Sequence, residues 1–292
     1  MTSKRRRILL LDDDRDLLQL LVAYLKGPLV DLVVCSEIEA AECLLDREHF
    51  DVLVTDLELS ALGGLEGIRL VRHVTCNFPN TDVVVFSGYI NDEVRELGRA
   101  LGVLELLDKP HGLFRLRKIL GGENWPDKGR SDDESGSVRQ VETLESVLSS
   151  RCITAVLQPI VALAPVRPGE WLHGVEGLSR GPEGSPLRNP DVFLDLASRK
   201  ERLFETELQC FEAVLVERRS LPGSHGLFLN TRPRSMSMPD FSAQLCELVH
   251  RYGYKPCDVV LELTEQQSVL NSEAFEATLG ALRTRGFRLA LD

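Results

Sequence analysis

The sequence predicts an α/β protein in two parts: a doubly wound five-stranded parallel sheet, then an incomplete TIM-like (β/α) barrel. Three observations predict it. Residues 7–120 alternate short apolar runs with amphipathic stretches. Residues 121–140 are polar, charged and nearly free of apolar side chains. Beyond them the strand–helix rhythm resumes, and several strands end in oxygen-bearing side chains. At 292 residues, 43% hydrophobic and 27% charged, the chain is long enough for two cores and globular in composition.

In the first part the runs Arg7–Leu11, Leu29–Val34, Val52–Thr55, Asp82–Phe86 and Val103–Leu107 read as strands. Between them lie helical patterns such as Leu17, Leu18, Leu20, Leu21 and Leu25, with the spacing of a buried face. This domain is placed at 1–121 and a polar linker at 122–142, and a helix is expected from near Val138 to about Ser149. The second domain, 143–292, reads as strands over Thr154–Leu163, His173–Leu178, Gly226–Leu229, Val259–Leu263 and Phe287–Leu291. Helices are expected over Pro190–Ser198, Glu201–Ser220, Pro239–Tyr252 and Ser272–Thr284. Five strands are visible where a closed barrel needs eight.

A net charge of −11 excludes general binding to nucleic acid or an anionic membrane, which needs a broad basic face. A small phosphate-bearing ligand needs only one or two local cations. The seven cysteines are scattered and contain no Cys-x-x-Cys, as expected of free thiols in a reducing cytoplasm. The apolar run after Lys4–Arg7 is too short for a signal peptide. No segment approaches the ~20 apolar residues that span a bilayer.

Two constellations carry chemistry. In the first, Asp12 and Asp13 end strand one, Asp56 ends strand three, Ser87 follows strand four and Lys109 follows strand five. Parallel strand ends converge on one face, where three carboxylates suit Mg2+. Asp56 would attack a phosphoryl group as nucleophile, Ser87 would hydrogen-bond it and Lys109 would balance its charge. Singly, Asp12 to Asp14 also fit ordinary helix capping, and a lone Asp after a strand fits a turn.

The motifs Leu11-Asp12-Asp13-Asp14, Thr55-Asp56-Leu57, Phe86-Ser87-Gly88 and Asp108-Lys109-Pro110 resemble the flavodoxin-like receiver domain of two-component response regulators, over about residues 5–121. The resemblance implies phosphorylation of Asp56 by a histidine kinase, and a cis Lys109–Pro110 bond. Two positions depart from the family: Ser60 stands in place of a proline, and Leu106 in place of the aromatic that turns on activation. Intact phosphorylation chemistry with an atypical output switch is therefore expected.

In the second constellation, Glu176, Asn230, Glu262 and Asp292 all fall at strand ends, and Arg180 lies just past Glu176. Three carboxylates and an amide oxygen suit Mg2+ or Mn2+ better than zinc, and Arg180 can hold a phosphate. Taken one at a time, Glu262 with Glu265 also fits a helix-start pair, and Asn230 with Thr231 a turn. The tripeptide Glu176-Gly177-Leu178, Gln158-Pro159-Ile160 and Glu262-Leu263-Thr264-Glu265 resemble the EAL-type cyclic-di-GMP phosphodiesterases over residues 143–292. Gly177 replaces the namesake alanine, read from sequence as a mild change.

The resemblance implies hydrolysis of cyclic di-GMP to pGpG with two Mg2+ or Mn2+ ions. Glu176, Asn230, Glu262 and Asp292 would ligate the first ion, Gln158 and Arg180 would contact substrate, and Glu265 would steady a loop. The family's later catalytic residues have no counterpart before Asp292. The 292-residue chain is therefore expected not to hydrolyse the dinucleotide. A non-catalytic regulator that binds a partner or the dinucleotide is the alternative expectation. A DNA-binding output lacks any basic helix-turn-helix pattern. Homodimerisation through either domain is compatible with the sequence.

Overall fold

The computed structural model describes residues 5–59, 65–121, 137–164, 171–221, 226–263 and 273–291. The chain divides into two compact units, Met1–Thr143 with Gly184–Leu187, and Leu144–Glu183 with Arg188–Asp292.

The first unit runs β1 (Arg6–Leu11), α1 (Arg15–Leu25), β2 (Val30–Cys35), α2 (Ile38–Leu45), β3 (Val52–Thr55), α3 (Leu65–Asn77), β4 (Asp82–Ser87), α4 (Asp92–Ala100), β5 (Glu105–Asp108), α5 (Leu113–Gly121) and β6 (Val138–Gln140). All strand pairs are parallel, in the order β5-β4-β3-β1-β2-β6. The first five strands have the flavodoxin-like order, which reverses direction between β1 and β3 and opens a crevice at their carboxyl ends. Alternation along the strands splits the core. Ile8, Leu10, Val52, Val54, Val84 and Phe86 pack with Leu18, Leu21 and Leu25 of α1 and Leu116 and Leu120 of α5.

The helix expected from Val138 is instead the strand β6, and the helix starts only at Leu144. The sheet thus has six strands and not five, and the first compact unit runs through Thr143. Val138 and Val141 are three apart, which fits a helix turn, but so short a pattern does not decide between periods. The open edge of β2 decides it. Leu32 N donates to Ser137 O at 2.8 Å and Val141 N to Val34 O at 2.8 Å. Ser137 N and Oγ both reach Asp31 Oδ1 at 2.9 Å, and Arg139 Nη2 reaches Glu48 Oε2 at 2.9 Å. Val141 is buried, and Val138 packs against the core. Arg139→Pro removes a ladder donor and the Glu48 partner together. Roughly 2 kcal/mol of local stability should go with them. Hydrogen exchange should show the Leu32 amide exchanging faster while the β1 amides keep their rates; an unchanged Leu32 would show that β6 adds nothing.

The second unit runs α6 (Leu144–Ser150), β7 (Thr154–Val161), β8 (Leu172–Arg180), α7 (Pro190–Arg199), α8 (Leu203–Arg218), β9 (Gly226–Thr231), α9 (Pro233–Met236), α10 (Phe241–Arg251), β10 (Val259–Leu263), α11 (Glu273–Arg285) and β11 (Arg288–Leu291). The sheet order is β11-β10-β9-β8-β7, with β7 antiparallel to β8 and every other pair parallel. This is the TIM-like β/α progression, and it places the carboxyl ends of β8 to β11 on one rim. The short α9, unexpected from sequence, follows β9 directly, with Pro233 in its first turn.

One face of this sheet is apolar: Val175, Leu227, Leu229 and Leu261 pack with Phe211, Val214 and Leu215 of α8, Leu245 and Val249 of α10, and Leu282 of α11. The alternate positions Glu176, Phe228, Asn230 and Glu262 are half-buried and fall on the opposite face. Among the described residues no helix is long and apolar enough to cross a membrane. No disulfide links the seven cysteines, all of which are described.

Candidate phosphoacceptor and metal sites

The first site sits where the topology reverses. Leu11 ends β1 and Thr55 ends β3, so Asp12 and Asp56 leave adjacent strands side by side, 2% and 7% exposed. Lys109, just past β5, spans them: its Nζ lies 2.6 Å from Asp12 Oδ2 and 2.5 Å from Asp56 Oδ2. The other oxygen of Asp56 accepts from Leu57 N at 2.5 Å and Glu58 N at 3.1 Å. Ser87, the last residue of β4, is fully buried, and its Oγ accepts from Tyr89 N at 3.4 Å. The Lys109–Pro110 bond is cis, as expected.

Burial raises the Asp12 carboxyl above its ordinary range, against the pull of Lys109. Burial also works to lower Lys109, but its hydrogen bonds to Asp12 and Asp56 prevail and raise it. Two carboxylates against one ammonium leave the crevice net negative, and all the donors are oxygen. That is the environment a hard divalent cation fits. Asp13 lies exposed beside it. The three aspartates therefore do not close into one cluster: among the described residues no three His, Cys, Asp or Glu side chains form a group that could hold an ion. The capping reading belongs to Asp14, whose carboxylate accepts from Asp16 N and Leu17 N at 3.0 Å each. Asp12 Oδ1 accepts from Asp14 N at 3.0 Å and so ties the cap to the crevice.

Two glycines hold this site closely. A Cβ on Gly67 would stand 2.6 Å from Asp56 O and from Leu57 Cα, so α3 lies directly on the backbone that carries Asp56. A Cβ on Gly98 would stand 2.8 Å from Leu106 Cδ1, so Leu106 is seated against α4 where the family has its mobile aromatic. Ser60 lies outside the described residues.

The second site lies on the rim of the other sheet. Asn230 and Glu262 are register partners on β9 and β10. Asn230 Nδ2 donates to Glu176 Oε1 at 2.6 Å, so three neighbouring strands each contribute one oxygen-bearing side chain. Neither Asn230–Thr231 nor Glu262 forms a turn or helix start; both are in strands. Gln158 is exposed and opposite Glu176 in the β7–β8 register. Arg180 ends β8 with Nη1 on Ser179 O at 2.7 Å. Glu265 and Asp292 lie outside the described residues. The donor set of carboxylate, amide oxygen and carboxylate fits Mg2+ or Mn2+.

Sequence reasoning missed Glu207. It stands in the apolar stripe of α8, at helical spacing from Leu203, Cys210, Phe211 and Val214, and is 2% exposed. A carboxylate inside such a stripe was the available signal. Its oxygens accept from Thr231 Oγ1 and Arg232 N at 3.1 Å each. Burial pushes its carboxyl up to about 7, although Arg232 and these hydrogen bonds favour the charged form.

The EAL domain family model matches residues 142–292, more than half of the chain. The chain belongs to the EAL domain family. Ahead of the EAL domain, the response regulator receiver domain model matches residues 8–121. The chain is 28% identical over 142 residues to the transcriptional regulatory protein CpxR of Escherichia coli K12, covering 47% of this chain and 59% of that protein. It is 26% identical over 157 residues to the probable cyclic di-GMP phosphodiesterase PdeA of the same strain, covering 52% of this chain and 22% of that protein. A solved structure of Klebsiella pneumoniae BlrP1 with FMN and cyclic diGMP aligns at 25% identity and TM-score 0.39, covering 48% of this chain and 34% of that one. The chain spans 59% or less of the length of these relatives.

Proposed function

We propose that the chain is a response regulator of cyclic-di-GMP signalling, in which phosphorylation of Asp56 controls an EAL domain that holds a divalent cation and the dinucleotide. One observation carries this reading: Asn230 bonded to Glu176 at 2.6 Å with Glu262 as its register partner, in the same chain as the Asp12–Lys109–Asp56 crevice. Membership of the EAL family and likeness to a protein named as a cyclic di-GMP phosphodiesterase support it.

In the receiver, Asp12 and Asp56 in the crevice, with the exposed Asp13 beside them, would hold Mg2+, and the cation would supply charge shielding for an incoming phosphoryl group. The Asp56 oxygen facing Lys109 would attack phosphorus as the P–N bond to a histidine kinase's phosphohistidine breaks and its imidazole leaves, and Ser87 and Lys109 would bind the transferred group. In the EAL domain, Glu176, Asn230, Glu262 and Asp292 would hold Mg2+ or Mn2+. The bound cation supplies Lewis acidity to the attacking water. Gln158 and Arg180 would bind the dinucleotide, and Glu265 would have the supporting role that the family resemblance implies. The reaction that the family resemblance implies for an EAL site of this kind is opening of one phosphodiester of cyclic di-GMP by water to give pGpG, in the cytoplasm.

The test is calorimetric binding of cyclic di-GMP to the 292-residue protein with Mn2+. Glu176→Gln should weaken binding about tenfold or more by removing a cation ligand, which corresponds to roughly 1.4 kcal/mol. Arg180→Ala should weaken it while leaving Mn2+ affinity unchanged. Binding that is indifferent to both substitutions would overturn the reading.

A further inference from the structure

Asn230 is the last side chain of β9 to face the metal-site side, and the chain turns immediately after it. Thr231 is buried and points to the helix layer, and Arg232 opens α9. A side chain at the end of a strand is only as well placed as the corner that follows it. Here the corner is held from α8. Glu207 takes Thr231 Oγ1 on one oxygen and Arg232 N on the other, at 3.1 Å each. It thereby fixes two consecutive residues past Asn230.

The arrangement is costly to keep. A carboxyl in an apolar stripe gives up its hydration, and that loss is repaid only by good hydrogen bonds. Leucine would pack the stripe without this penalty. The buried hydrogen bonds that Glu207 does make go to the β9–α9 corner. That corner leads to Asn230, and Asn230 Nδ2 leads to Glu176 Oε1 at 2.6 Å. A continuous chain of contacts therefore runs from the interior of α8 to the rim of β8.

We propose that Glu207 is a positioning residue: by clamping Thr231 and Arg232 it sets Asn230 against Glu176, so the cation site depends on a side chain that touches neither cation nor dinucleotide. This rests on the reading of Glu176 and Asn230 as metal ligands. Outer partners of this kind orient ligands, and their loss typically costs about 10–100-fold in metal affinity.

The test uses the full chain with Asp12, Asp13 and Asp56 changed to asparagine, so that Mn2+ binding reports on the EAL domain alone. Mn2+ is titrated and the free ion read by electron paramagnetic resonance. Separately, the Asn230 side-chain amide is followed without metal by selective 15N labelling and assigned by its loss in Asn230→Ala. Glu207→Ala should weaken Mn2+ binding at least tenfold and shift the Asn230 amide. Glu207→Gln, which keeps an acceptor in the same place, should restore most of both. Thr231→Val, isosteric and gentler, should shift the amide in the same direction if Glu207→Ala fails to fold. A folded Glu207→Ala or Thr231→Val protein with an unmoved Asn230 amide overturns the proposal. Failure of the metal reading looks different: Mn2+ binding would be absent in the parent or indifferent to Glu176→Gln, while the amide measurement would still decide whether Glu207 positions Asn230.

Discussion

Asp56→Asn should abolish covalent labelling of the chain by acetyl phosphate in Mg2+, while the wild type acquires a phosphoryl group on Asp56. Asparagine matches aspartate in shape, and its carbonyl still accepts from the Leu57 and Glu58 amides. Its nitrogen then faces Lys109, where the carboxylate oxygen stood 2.5 Å away. That nitrogen has no lone pair free to attack phosphorus, so the Oδ–P bond cannot form and acetate is not displaced. No neighbour takes over. Asp12 is 2% exposed, with one oxygen on Asp14 N and the other on Lys109. Asp13 is exposed, away from the Lys109 contact. Intact-mass measurement before and after acetyl phosphate reads the result. A labelled Asp56→Asn protein, or an unlabelled wild type, would refute the assignment of Asp56.

What could be read from sequence, and what could not, follows from the range of the forces involved. The receiver strands β1 to β4 were legible because each carries an apolar run buried on both faces, and the edge strand β5 through the apolar pair Leu106 and Leu107. Asp12, Asp56, Ser87 and Lys109 were legible because a doubly wound sheet puts its strand ends on one side, whatever the intervening helices do. Asn230 with Glu176 and Glu262 was legible for the same reason. The strand β6 was not, because Val138 and Val141 fit a helix locally; their partner is the β2 edge more than a hundred residues away. Glu207 was not legible as a functional residue, because its meaning lies in Thr231 and Arg232, and helical periodicity marks it only as out of place.

Gly177 shows the same limit at atomic scale. Glycine for alanine in the signature tripeptide reads as a mild change from sequence, and the packing shows that reversing it is not mild. A Cβ on Gly177 would stand 2.1 Å from Val214 Cγ1 and 2.7 Å from Cγ2. Val214 is 1% exposed and in the middle of α8, and a β-branched side chain in a helix has essentially one rotamer to use. The methyls cannot swing away, so either β8 or α8 must move. Overpacking of this kind costs about 3 kcal/mol, at the upper end of its usual range. Gly177→Ala should therefore lower the urea midpoint of the EAL domain sharply. It should also weaken Mn2+ binding, because Glu176 is the preceding residue on β8. Val214→Ala alone should cost about 2 kcal/mol through the cavity it leaves. The double variant should be more stable than Gly177→Ala alone, since the new methyl occupies space that Val214 has vacated. A coupling of about 2 kcal/mol or more between the two positions is the expected result of the cycle. Simple additivity would mean that Gly177 and Val214 are not complementary, and that the glycine is as mild a change as the sequence made it look.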